Sequence, residues 1–279
     1  MARPKFVTRL NTRGPKYGTC NICGEDGQLT EDHTPPKSCG GITHAELRGL
    51  LEKLAAEGEC WTKPRWFQAG VCYRTLCKRC NELLGGQYDP ALAEMSRDVR
   101  AIARSSLRLP PQIQLEISPG AVTRSVLGHI AAQGVNRYLK GPLTEAFRDY
   151  ILDGALPLPE PLRLYYWLYP HRPQVLVRDA ALTLIGGNGP FCFWLMKFFP
   201  LAFFVTWSEP LPSAFRMAHL NMHRTLPATT RQTVYLPTRP LLPARWPETP
   251  DDRSFILYGQ EAVIALEARQ RRAVAPARA

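Results

Sequence analysis

From about Pro157 onward the chain is written in short apolar runs. Leu162 to Tyr169, Gln174 to Ile185, Phe191 to Lys197 and Leu201 to Trp207 are rich in β-branched and aromatic residues, and the turn Gly186-Gly187-Asn188-Gly189 separates the second from the third. They predict an antiparallel meander. Their apolar residues fall on both faces instead of alternating, so the sheet is expected to be buried on both sides, under the helices of residues 90 to 153.

Those helices follow from the 3.6-residue period and from end signals. Asp89-Pro90 suits a start, with the carboxylate at the N-cap and proline in the first turn, and the helix can run to about Leu107. Val122 to Leu139 and Leu143 to Asp153 follow, the latter stopped by Gly154. Upstream, Thr43 can cap a helix over His44 to Gly58, with Leu47, Leu50, Leu51 and Leu54 on one face. Nearer the start, Gln28 to His33 reads as a strand that Pro35-Pro36 must end, since neither proline donates to a ladder. Gly70 to Leu76 reads as a second strand leading into Cys77, where a short helix opens and breaks at Gly85-Gly86. The stretch LPPQ at 109 to 112 looks like a linker, 208 to 250 is proline-rich and irregular, and an amphipathic helix over about Gln260 to Arg272 closes the chain. The fold class is α+β, in two parts: residues 1–108, and residues 109–279 as a helical segment with a β-rich antiparallel domain.

Composition supports a packed protein: 279 residues, of which 45% are hydrophobic, suffice for two modest domains. The net charge of +11 points to an acidic partner, with nucleic acid first and an anionic membrane surface second. Both ends are basic, with Arg3, Lys5, Arg9, Arg13 and Lys16 at one and Arg269, Arg271, Arg272 and Arg278 at the other. Either end could touch phosphate or stay solvated. Residues 1 to 20 lack the apolar centre of a signal peptide, which places the protein in the cytoplasm. The apolar run Pro190 to Trp207 is interrupted by Lys197 and Pro200, so two strands joined there fit better than a membrane span.

Cysteine spacing adds the chemistry. Cys20-x-x-Cys23 and Cys77-x-x-Cys80 are two short knuckles that can close a loop around one tetrahedral zinc ion, whereas Cys39, Cys60, Cys72 and Cys192 lack paired spacing and read as free thiols. Inside the loop lies Thr30-Glu31-Asp32-His33-Thr34-Pro35-Pro36-Lys37-Ser38. Asp32, and Asn81 at the start of the second knuckle's helix, can point hard oxygens at one magnesium or manganese ion. His33 can take a proton from water beside them.

CNIC at 20 to 23, EDHTPPKS at 31 to 38 and LCKRCNELLGG at 76 to 86, in this order, resemble the HNH (ββα-metal) nuclease family, in the variant pinned by two zinc knuckles. The resemblance covers about residues 18 to 90 and makes the first part a zinc-stapled ββα-metal nuclease module. It implies Cys20, Cys23, Cys77 and Cys80 as structural zinc ligands, Asp32 and Asn81 as ligands of a catalytic Mg2+ or Mn2+, His33 as general base and Lys37 near the scissile phosphate. It further implies an endonuclease with DNA favoured over RNA, cutting to leave 5′-phosphate and 3′-hydroxyl ends. The family's middle Asn is missing from GVCYRTL, so Tyr73, Arg74 or a backbone carbonyl must orient the base, and Arg74 could clamp a phosphate oxygen. The alternative is a non-enzymatic zinc-knuckle protein that binds nucleic acid, with Asp32 and His33 capping a turn.

Remaining features stay open at this level. Residues 60 to 69 (CWTKPRWFQA) could stack on bases or simply cover the small domain, and Asp89 could join the active metal or cap its helix. His219 and His223 have helical ligand spacing but no Asp, Glu or Cys donor nearby, which makes them structural. Residues 109–279 are expected to regulate the nuclease, with an oligomer or a regulatory protein as possible partner; an anti-phage or mobile-element role suits that design by analogy.

Overall fold

The computed structural model describes residues 8–54, 62–105, 108–138, 142–184, 190–207, 217–249, 254–259 and 261–268. Expectations for Arg3 and Lys5, for Cys60 and Trp61, for the turn at 186 to 189 and for Arg269, Arg271, Arg272 and Arg278 lie outside these residues.

After β1 (Thr8–Arg9) and β2 (Tyr17–Thr19), the strand expected around the dyad is β3 (Asp26–His33). The segment expected to be helical from His44 to Gly58 begins instead as β4 (Ala45–Gly49) and continues as helix α1 (Leu50–Leu54); its residues 55–58 lie outside the described residues. Pairing overrides local period here: Ala45 and Leu47 are buried between more open neighbours, as in a strand, while Leu51 is exposed. β5 (Thr62–Lys63), β6 (Arg65–Phe67) and β7 (Cys72–Cys77) follow. β7 runs antiparallel to β3, and α2 (Lys78–Leu83) starts directly from its end, so strand, strand and helix form as the residues predicted.

Gly85 and Gly86 do not break the helix. The chain passes through one wide π-turn at Leu84–Tyr88 and continues as α3 (Asp89–Ala103). Asp89 thus sits within helical backbone, at φ −59° and ψ −34°, and is not the N-cap of α3, a position taken by Tyr88. Of the linker expected at 109 to 112, residues 109–111 lie outside any helix or strand and Gln112 opens the next strand. In β8 (Gln112–Ile117) the pattern QIQLEI alternates exposed and buried. Next come α4 (Pro119–Ala132), buried along its whole length, and α5 (Pro142–Leu152).

The meander is built as predicted, from β9 (Arg163–Leu168), β10 (Gln174–Leu184), β11 (Pro190–Phe198) and β12 (Leu201–Thr206). The apolar run from residue 190 is therefore a hairpin, and among the described residues no helix is long and apolar enough to cross a membrane. β13 (Ala218–His219) adds to β9, and β14 (Gln232–Pro237), in the stretch expected to be irregular, pairs with β8. After β15 (Ser254–Tyr258), the closing segment holds the strand β16 (Val263–Glu267) where a helix was expected. Both pair with β10, which changes partner around Asp179, a residue at φ 62°.

These strands form a nine-stranded sheet ordered β13-β9-β12-β11-β10-β16-β4-β6, with β15 also on β10. β4 and β6 come from the first 108 residues and extend this C-terminal sheet, and one apolar core runs from Cys20 to Ala265. Residues on either side of 108/109 thus share a sheet and a core.

The sheet is buried on both faces, which explains the weak alternation. Leu164, Tyr166, Trp194, Met196, Phe203 and Val205 pack with the helices, while Tyr165, Trp167, Phe193, Leu195, Ala202 and Phe204 pack on the other side with Leu242 and Trp246. Lys197 ties down this second cover: its Nζ donates to the carbonyls of Ala244 (2.8 Å) and Trp246 (3.0 Å) and meets Glu248 Oε1 at 2.6 Å. Burial pushes the Lys197 ammonium down and the Glu248 carboxyl up in spite of their contact, so desolvation outweighs their attraction. Lys197→Met is therefore expected to cost about 3–5 kcal/mol in denaturant unfolding, because it strands a buried carboxylate, whereas Lys197→Met/Glu248→Leu recovers most of that loss.

Candidate active site

The two knuckles converge. Cys20 and Cys23 lie in the turn before β3, Cys77 ends β7 and Cys80 lies in the first turn of α2; their sulfurs are all within 4.8 Å of one another. The Gly24 N–H donates to Cys20 O (2.9 Å) with φ at 75°, a conformation that disfavours other residues, and a Cβ there would strike the Tyr138 ring. Hydrogen bonds from the Cys23 and Cys80 thiols hold the Cys20 thiol far below its usual range, and the Cys23 thiol, bonded to Cys20, is pushed up to about 12. Four thiolates this close repel one another unless a cation lies among them. The cluster could hold a metal such as zinc. Cys39, Cys72 and Cys192 are free thiols, as their spacing predicted.

The dyad sits at the other end of β3, and strand alternation separates its two members. Asp32, paired with Tyr73, faces the interior and is 4% exposed; His33, paired with Cys72, is half-buried. Asp32 Oδ2 lies 2.8 Å from His129 Nδ1, and His129 Nε2 lies 2.8 Å from Asp89 Oδ1, which also accepts from Ser125 Oγ at 2.7 Å. Asp32, His129 and Asp89 therefore make a continuous buried chain. Burial by itself would discharge His129, but the charges and hydrogen bonds of Asp32 and Asp89 override it and raise the imidazole to about 10. Burial likewise favours protonated Asp89, yet His129 and Ser125 hold its carboxyl below the usual range.

Burial and the nearby Lys37 lower the His33 imidazole, keeping it neutral at neutral pH. Lys37 is exposed, in the 3-10 turn Lys37–Cys39 just beyond. Asn81 reaches β3: its Nδ2 donates to Thr30 Oγ1 (2.9 Å) and to Glu31 O (3.1 Å), one residue short of the dyad. Asp32 Oδ1 and the Asn81 amide oxygen make no hydrogen bond among the described residues. Among those residues the four cysteines are the one group of three or more His, Cys, Asp and Glu ligands that converges. Arg74 stands opposite Glu31 in the strand register, the Glu31 carboxylate meets Arg13 at 3.2 Å, and Arg74 Nε is buried without a partner among the described residues.

His129 is the participant that sequence reading missed. It is a single histidine in the apolar run SVLGHIAA, 97 residues from Asp32, and no spacing marks it. Asp89 could be read two ways, and its bonds to His129 and Ser125 exclude the cap. His219 ends β13 and His223 lies in a separate 3-10 turn, so their helical ligand spacing is not realised. Comparison with protein-family models, curated proteins and solved structures finds no match.

Elemental analysis is expected to find one zinc per chain, with Cys80→Ser lowering both the metal content and the melting temperature. A second expectation concerns pH. The folded-state value of His129, about 10, exceeds its ordinary 6.5, so its contribution is complete below about 6.5 and is lost as pH rises through about 10. His129→Gln should cost about 3–5 kcal/mol at neutral pH by leaving two buried carboxylates uncompensated, and the gap to wild type in unfolding curves should shrink toward pH 10.

Proposed function

We propose that the chain is a metal-dependent endonuclease of HNH type that hydrolyses phosphodiester bonds in nucleic acid, DNA before RNA. The observation that carries the reading is the β3–β7–α2 unit, closed by four converging cysteines, with a neutral, half-buried His33 at the end of its first strand and Asn81 bonded to that strand. In this reading the cysteine cluster holds zinc and serves the fold.

Asp32 and Asn81 fit a hard divalent cation by the chemistry of their donors. Each uses one polar atom on the protein, Oδ2 on His129 and Nδ2 on Thr30 and Glu31, which leaves an oxygen of each for Mg2+ or Mn2+. When bound, the ion supplies Lewis-acid polarisation of the phosphate. His33 accepts the proton of the attacking water, a task for which its lowered basicity keeps it ready at neutral pH. His129 fixes the orientation of Asp32, and the exposed Lys37 offers a charge to a phosphate oxygen. The excess of basic residues suits a polyanion.

A binding-only reading also has support, because Asp32 is buried in an ion pair that by itself accounts for its carboxylate. Plasmid nicking separates the two. The wild type is expected to nick with Mg2+ or Mn2+, and His33→Ala to lose about 10²–10⁴-fold in rate with DNA binding retained in gel shifts. The wild-type rate should rise with pH through a value below 6.5 and level off above it. Binding without cutting under either metal overturns the nuclease.

A further inference from the structure

A cleft of about 540 Å³ opens next to the segment that follows the dyad. Its volume is in the usual range for a small-molecule site. Gly40 and Gly41, directly after the 3-10 turn of Lys37–Cys39, form one wall. Phe199, at the tip of the β11–β12 hairpin, Arg104, just past α3, and Arg172 and Gln174, at the start of β10, line the cleft as well.

Gln174 is the informative residue. It is 2% exposed, yet its side-chain oxygen is buried with no hydrogen-bond partner among the described residues. Interiors leave few such atoms unpaired, and this one belongs to a residue that lines the cleft. Gly41 lies directly over the amide: a Cβ there would collide with Gln174 Nε2, so glycine is what keeps this wall thin. Arg100 anchors the same wall by donating to the carbonyls of Cys39 and Gly40.

Charge specifies the other end of a ligand. Arg104 stands over the Phe199 ring, 5.6 Å from its centroid, and no carboxylate pairs with it among the described residues. Arg172 meets Glu267 at 2.7 Å, both exposed, so the charged residues lining the cleft leave one positive charge in excess. The cleft thus offers an uncompensated guanidinium, an aromatic ring and a buried acceptor. Inorganic phosphate answers only the guanidinium, and an uncharged base answers only the acceptor and the ring.

We propose that this cleft binds a nucleotide unit, with its phosphate on Arg104 and an N–H of its base on Gln174 Oε1. The unit is either a free mononucleotide or one residue of a strand lying across the protein. The assignment rests on the cleft itself and stands apart from the hydrolytic reading.

Calorimetric titration of the full chain tests it, with the ribo- and deoxyribonucleoside 5′-monophosphates, the matching nucleosides, inorganic phosphate and a short single-stranded oligonucleotide. At least one monophosphate is expected to bind more tightly than both its nucleoside and phosphate alone. Arg104→Gln and Gln174→Leu should each weaken it by about tenfold or more. Arg104 is exposed, so its variant carries the test even where loss of Gln174 disturbs folding, which circular dichroism monitors. Competition between oligonucleotide and monophosphate, lost in the same variants, identifies the unit as part of a strand; monophosphate binding without competition identifies a free nucleotide. No binding of any monophosphate, or unchanged binding by Arg104→Gln, overturns the proposal. The readout is affinity without cleavage, so its failure is distinct from a failure of His33→Ala to abolish nicking.

Discussion

Helix α4 is buried from Pro119 to Ala132, and the need to satisfy its polar groups away from water organises the protein. Its terminal carbonyls are met from three directions. Asn21, inside the first knuckle, donates to Ala131 O and Gly134 O; Thr75 of β7 donates to Ala132 O; and the buried Arg178 of β10 donates to Ala131 O and Gln133 O. At the other end Arg124 turns its guanidinium onto the carbonyls of Tyr150, Asp153 and Leu156. A knuckle, a strand of the small module and the large sheet are therefore all fastened to one helix. Among the described residues, those around the knuckles therefore share one core with the helices and the large sheet.

The same helix decides what the dyad becomes. Strand geometry sends neighbouring side chains to opposite faces, so Asp32 turns toward α4 and meets His129, while His33 stays near the surface. A carboxylate buried at this depth needs a counter-charge, and one imidazolium shared between Asp32 and Asp89 supplies it for both. The cysteines act at the opposite end of the unit, where a metal would close the loop and hold β3, β7 and α2 in register. The structural cluster and the candidate chemistry are thus separated along β3, and each can be lost without directly removing the other's ligands.

The large sheet is a further case of one element facing two environments. Helices cover one face and the proline-rich segment around Leu242 and Trp246 covers the other, fastened by Lys197 through two carbonyls and Glu248. An amine buried this completely contributes little net stability. Its hydrogen bonds instead select one placement for a segment with little regular structure.

Several features were legible in the residues alone: the two knuckles, the Asp32-His33 stretch between them, the strand-strand-helix order and the four-stranded meander. Each rests on local chemistry, such as ligand spacing, proline as a strand stop and β-branched apolar runs, which acts within a few residues. The tertiary structure decided the rest. Ala45–Gly49 and Val263–Glu267 carry patterns that suit a helix or a strand, and they are strands because β4 and β16 pair with each other beside β10. QIQLEI alternates cleanly, and its partner β14 lies in a proline-rich stretch whose composition suggested no regular structure. Asp89 and His129 gained their roles only when folding brought residues far apart in sequence into one dry contact, because a buried charge is stabilised by what surrounds it in space and hardly at all by what precedes it in the chain.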